Sequence, residues 1–157
     1  MIYDLLTLIG GVVAIALAAI LWGLAALHAY WGRGGFWPEE NELALARTVV
    51  GAKGIREMPA ETACFTVASI LFLAGCWPLA VYLGVLPVPL PVELAVIAGY
   101  GAAIVFLARG FAAYLPAFRQ RFPEEPFATK DRQLYGPLCI LIGLAFAFLL
   151  SLGWITP

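Results

Sequence analysis

Charge is scarce in this chain. Only 12% of its 157 residues are Asp, Glu, Lys or Arg, against about 25% in an ordinary soluble domain. Four long stretches contain none at all: Leu5–Leu27, Ala63–Leu86, Leu94–Ala108 and Pro137–Trp154. With 63% hydrophobic residues and a mean hydropathy of +0.93, a chain this short could not hide its apolar surface in a water-excluding core of its own. Lipid is the remaining solvent. A net charge of −1 sets up no field for nucleic acid, and no nucleic-acid partner is expected.

Cysteine and histidine are equally sparse. Cys64, Cys76 and Cys139 are odd in number and show no CxxC spacing, which points to neither a disulfide framework nor a zinc knuckle. They read as unpaired, small apolar side chains within helices. The single histidine, His28, has no Cys/Asp/Glu cluster around it in sequence, so no metal and no cofactor is expected. GxxxxGK[ST], GxGxxG, HExxH and GxSxG are all missing, which removes the sequence support for nucleotide binding, zinc proteolysis and hydrolase chemistry. No carboxylate falls deep in an apolar run, as a proton-driven exporter would usually need. The opening Met1-Ile2-Tyr3-Asp4 lacks a positive n-region and the run behind it is far longer than a signal-peptide core, so it reads as a retained span.

What the chain does have is four apolar runs near the ~20 residues that cross a bilayer. They predict an all-α membrane protein: a four-transmembrane-helix bundle forming one transmembrane domain over 1–157, with spans at about 5–30, 62–84, 93–112 and 136–155. Small residues recur at helical spacing as Gly10/Ala14/Ala18, Ala95/Gly99/Ala103 and Gly143/Ala147/Ser151, a pattern that lets helices approach closely in lipid. The same faces would equally serve a homo-oligomer.

All nine Lys and Arg residues lie between the first and second runs (Arg33, Arg47, Lys53, Arg56) or between the third and fourth (Arg109, Arg119, Arg121, Lys130, Arg132). The positive-inside rule therefore predicts a multi-pass protein of the cell (inner) membrane with loops 31–61 and 113–135 cytoplasmic and both termini outside. The proline-spaced Val85–Pro91 segment cannot be helical and reads as a tight outer turn. In the first loop, Trp37-Pro38-Glu39-Glu40 resembles a helix start, followed by a short amphipathic helix whose stripe Leu43, Leu45, Ala46 and Val49 would lie on the membrane surface. Two β-prone runs around Gly51-Ala52-Lys53-Gly54, within Thr48–Pro59, predict a small β-hairpin.

Polar residues cluster by depth. His28, Tyr30, Trp31, Arg109, Tyr114, Asp131, Arg132 and Tyr135 all fall at the cytoplasmic ends of spans and form the candidate site. His28 has the chemistry of a base or ligand near neutral pH, beside the plainer role of a packed interfacial imidazole. Arg109 has the guanidinium geometry that holds a carboxylate or phosphate, beside the role of snorkelling to headgroups. Asp131 is expected to hold Arg109 or Arg132, and Arg119 to lie in solvent. Glu124-Glu125, between Pro123 and Pro126, reads as a solvated turn.

The combination His28-Ala29-Tyr30-Trp31, Gly34-Gly35-x-Trp37-Pro38, Arg119–Phe122 and Asp131-Arg132-x-x-Tyr135-x-Pro137-Leu138-Cys139 resembles a bacterial family of small four-helix integral membrane proteins classed as a domain of unknown function. The resemblance implies the four-span architecture and no activity. By size and orientation the chain is also similar to the four-helix membrane glutathione-transferase class, but Ala63–Leu83 carries no charge where that class has a Glu/Arg-rich second helix. The expected partners are the lipid bilayer and either a lipid or isoprenoid ligand or a membrane-protein partner on the cytoplasmic face. An enzyme acting on an amphiphile through His28, Arg109, Asp131 and Tyr135, and a small transporter, are the alternatives.

Overall fold

The computed structural model describes residues 2–85 and 91–153, so most of the Val85–Pro91 turn, and Trp154, lie outside the described residues. Among the described residues, four helices are long and apolar enough to cross a membrane. α1 is Ile2–Gly32, α2 Glu42–Val49, α3 Glu61–Leu83, α4 Val92–Ala112, α5 Pro116–Arg121 and α6 Phe127–Lys130; a π-helical turn, Asp131–Tyr135, then joins α6 to α7, Gly136–Ser151. The last three pieces run together as one rod over Phe127–Ser151, so the fourth long helix begins well before the charge-free run that marks it in sequence.

The bundle is two antiparallel pairs, α1 with α3 and α4 with α7, joined by sparser α1–α7 and α3–α4 contacts. Ala14, Leu17, Leu21, Ala25, Leu71, Ala103, Ile142, Phe146 and Leu149 form the core. The stripes Gly10/Ala14/Ala18 and Ala95/Gly99/Ala103 are buried throughout, so the close-approach reading holds for α1 and α4. On α7 it fails in part: Gly143 is buried but Ala147 and Ser151 are exposed, and Ile142, Phe146 and Leu149 take the inner face. In lipid both faces of a helix are apolar, so small size alone does not say which one packs. Where α4 and α7 do touch, glycine is required. A Cβ on Gly110 would stand 2.8 Å from the Gly136 carbonyl oxygen, and one on Gly143 would stand 3.0 Å from that of Ala103. Trp77 links the two pairs, donating its indole N–H to the Ala95 carbonyl at 2.7 Å while its ring fills the space over Gly99 and meets Phe146 at 5.4 Å.

The first loop differs from its sequence reading. There is no strand among the described residues, and Thr48–Val49 belong to α2 rather than to a hairpin. That helix starts not at Pro38 but at Asn41, whose side chain caps the Ala44 N–H at 2.9 Å. It does not present the expected membrane-facing stripe either. Leu45, Ala46 and Thr48 are buried while Leu43 is exposed, because the helix packs onto α6. The backbone after it makes a local turn, with the Ile55 N–H donating to the Ala52 carbonyl at 3.0 Å, and otherwise bonds across the molecule: the Lys53 N–H donates to the Arg121 carbonyl at 3.1 Å and the Glu124 N–H to the Gly51 carbonyl at 3.2 Å. Glu124 is not a solvated turn residue, since its carboxylate accepts the Gly54 N–H at 2.9 Å. Phe127 occupies the place where a side chain on Gly51 (φ +63°) would be, so that position needs glycine both for its backbone and for the ring against it. Both charged loops thereby close into a single cap over one end of the bundle.

Candidate functional site

The charged end is organised around a buried carboxylate. Asp131 lies in the π-helical turn with only 2% of its surface exposed. The wide turn has a local cause in Pro137, which has no N–H to donate and whose ring would crowd the carbonyl four residues back. The turn closes through the Gly136 N–H bonded to the Asp131 carbonyl. Arg109, near the end of α4, reaches the carboxylate: its Nη2 donates to Asp131 Oδ1 at 2.6 Å. The guanidinium also lies over the Phe118 ring, 5.1 Å from its centroid, a favourable cation–π placement. Its Nη1 is buried and has no hydrogen-bond partner. A buried carboxylate is tolerable only with such a partner, because desolvation otherwise exceeds what the site returns.

Beside this pair the Tyr135 hydroxyl donates to the Thr48 carbonyl at 3.1 Å, and the Thr48 hydroxyl donates to Glu39 at 2.8 Å. Lys130 reaches the same Glu39 oxygen at 3.5 Å. Sequence spacing holds no sign of Glu39, Thr48 or Lys130 acting together, since Glu39 and Lys130 are 91 residues apart.

Of the sequence-selected residues, the structure unites Arg109 and Asp131 directly, with Tyr135 on the neighbouring turn. Tyr114 donates to the Arg132 carbonyl at 3.0 Å, so these two meet at the same turn. His28, Tyr30 and Trp31 form a separate group at the end of α1. His28 Nδ1 is 2.8 Å from the Leu24 carbonyl and its ring meets Trp31 edge-on at 4.9 Å. Trp31 donates to the Trp37 carbonyl at 2.8 Å, and the Tyr30 ring covers Gly35. These bonds fix the turn out of α1, and among the described residues no hydrogen bond, ion pair or ring contact joins His28 to Arg109 or Asp131. The three cysteines are free thiols.

Two apolar grooves run along α3. One, about 680 Å³, lies against α1 and ends at Arg33. The other, about 510 Å³, lies against α4; Ile70, Trp77, Gly101 and Val105 line it, and Arg109 stands at its charged end. Its volume is within the range of ligand-sized clefts.

Four apolar membrane-length helices with all nine Lys and Arg residues gathered at one end define a multi-pass membrane protein. The chain belongs to the DUF3995 family, proteins of unknown function, whose sequence profile matches residues 21–146. Neither curated proteins nor solved structures gave a match.

Proposed function

We propose that the protein binds a membrane amphiphile, a lipid or isoprenoid with an anionic headgroup, in the groove between α3 and α4 with the headgroup at Arg109. The observation that carries this reading is the junction of an apolar groove with a partly exposed guanidinium. The Arg109 side chain is 34% exposed while Asp131 is 3% exposed, so the cation and not its counterion faces an incoming headgroup. From Ala98 to Arg109 the α4 wall rises by about 16 Å at 1.5 Å per residue. That is close to half of a ~30 Å hydrocarbon core, the depth of one leaflet. Charge at one end and a one-leaflet apolar wall match one chain and one head of a single amphiphile.

The segregation of all nine Lys and Arg residues supports placing this end in the cytoplasm of a bacterial cell, with the bundle in its inner membrane. Cysteines placed at Lys53 or Lys130 are expected to react only with a membrane-permeant maleimide in intact cells. Rapid labelling of either by an impermeant reagent would invert the orientation.

The groove is tested by a photoactivatable phosphatidylglycerol whose acyl chain carries the reactive group. Cross-links are expected to concentrate on Val67–Trp77 and Ala98–Phe106. Equal labelling of the outward face of α1 at Ile15 and Ile20, both exposed, would mean ordinary annular lipid and would remove the proposal.

A further inference from the structure

A second site lies beyond the groove and does not depend on it. A polar recess of about 320 Å³ at the charged end is lined by Tyr114, Arg119, Ala128, Thr129, Arg132 and Gln133. Two guanidinium groups reach it from different elements, Arg119 from α5 and Arg132 from the π-helical turn. Contrary to the sequence reading, Arg119 is partly buried rather than free in solvent. Among the described residues neither arginine takes part in an ion pair; those found join Arg109 to Asp131 and Lys130 to Glu39. No carboxylate lines the recess. The nearest acid by bonding is Glu125, behind the wall, whose carboxylate accepts the N–H of the lining residue Thr129 at 3.2 Å and its hydroxyl at 3.1 Å. The Tyr114 hydroxyl is spent on the Arg132 carbonyl, which fixes the turn carrying Arg132 against the end of α4.

We propose that this recess binds a phosphate group through Arg119 and Arg132, with the Gln133 amide as a further donor. Two like charges facing one concavity repel each other unless an anion lies between them, and guanidinium forks match the paired oxygens of a phosphate. The Tyr114 and Thr129 hydroxyls already donate within the protein, so the donors left for a ligand are the two guanidinium groups and the Gln133 amide. The phosphate is either the headgroup of an anionic lipid or a soluble phosphate, since both present the same oxygens.

The test is thermal unfolding of the full chain in an uncharged maltoside, titrated separately with dihexanoyl phosphatidic acid and with inorganic phosphate. Saturable stabilisation by at least one of them is expected. Arg119→Gln with Arg132→Gln should weaken it about tenfold or more, in line with the loss of charged hydrogen bonds, while Arg56→Gln leaves it unchanged. Stabilisation by phosphatidic acid alone identifies a lipid headgroup, and equal stabilisation by inorganic phosphate identifies a soluble ligand; both support the recess. Gln133→Glu, at an exposed position, places a carboxylate in the recess without disturbing the core and should weaken binding comparably, so the result does not hang on the arginine variants folding. No saturable stabilisation by either probe, or unchanged affinity in the double variant and in Gln133→Glu, overturns the proposal. Filling the groove at Gly101 should not change this response, which separates the failure of one site from the failure of the other.

Discussion

Arg109→Ala is expected to lower the unfolding free energy in detergent by about 2–4 kcal/mol. Removing one member of a buried ion pair typically costs about 3–5 kcal/mol, since the other charge is left without compensation. Solvent at the one-third-exposed guanidinium places the effect toward or below the low end of that range. The carboxylate left behind is the buried one, so the penalty falls on Asp131. Adding Asp131→Asn to Arg109→Ala should recover part of the loss, because the orphaned charge is then gone. Arg56→Ala, at an exposed position, serves as the reference and should change stability by less than about 0.5 kcal/mol. Equal unfolding midpoints for Arg109→Ala and Arg56→Ala would show that the pair holds nothing together.

Phe127→Ala is expected to have the larger effect, about 3–5 kcal/mol by the usual cost of deleting a buried aromatic side chain. Phe127 is 3% exposed. It covers Gly51, and its ring lies 5.9 Å from that of Tyr135 and 6.1 Å from that of Phe122. It is thus an apolar contact at which the two charged loops meet. Beyond the loss in stability, the amides of Lys53 and Glu124 should exchange hydrogen much faster in the variant, because the bonds they make across the loops depend on that contact. Exchange confined to the fourth long helix, with the first loop still protected, would contradict the single-cap arrangement.

The four apolar helices were legible because charge-free runs of membrane length have few other readings. The Arg109–Asp131 pair was legible for a related reason: depth along a span can be counted from sequence, and these two residues come out level. Depth does not give azimuth, however. His28 lies at a similar level, but its ring bonds to the Leu24 carbonyl and meets Trp31, within its own end of α1. The start of the fourth long helix was missed because Lys130, Asp131 and Arg132 look like loop residues until Asp131 is seen to be buried with a partner. Thr48-Val49-Val50 is β-prone locally, but the Asn41 cap and the burial of Leu45 and Ala46 decide for helix, an instance of tertiary packing overriding propensity. The grooves and the recess depend on how helices face one another, which no spacing within one helix encodes.

The most direct measurement is native mass spectrometry of the protein released from membranes in mild detergent, comparing the unaltered chain with Gly101→Leu. Gly101 lines the α3–α4 groove, and a Cβ built there meets nothing within 4 Å, so the larger side chain can fill the groove without displacing the helices. Gly23→Leu, at another position open to a Cβ but outside the groove wall, controls for added bulk. The unaltered chain and Gly23→Leu should each retain one more anionic amphiphile per protein than Gly101→Leu, which should keep its unfolding midpoint. Retention of the same amphiphile by Gly101→Leu at the same stoichiometry would contradict binding in the groove.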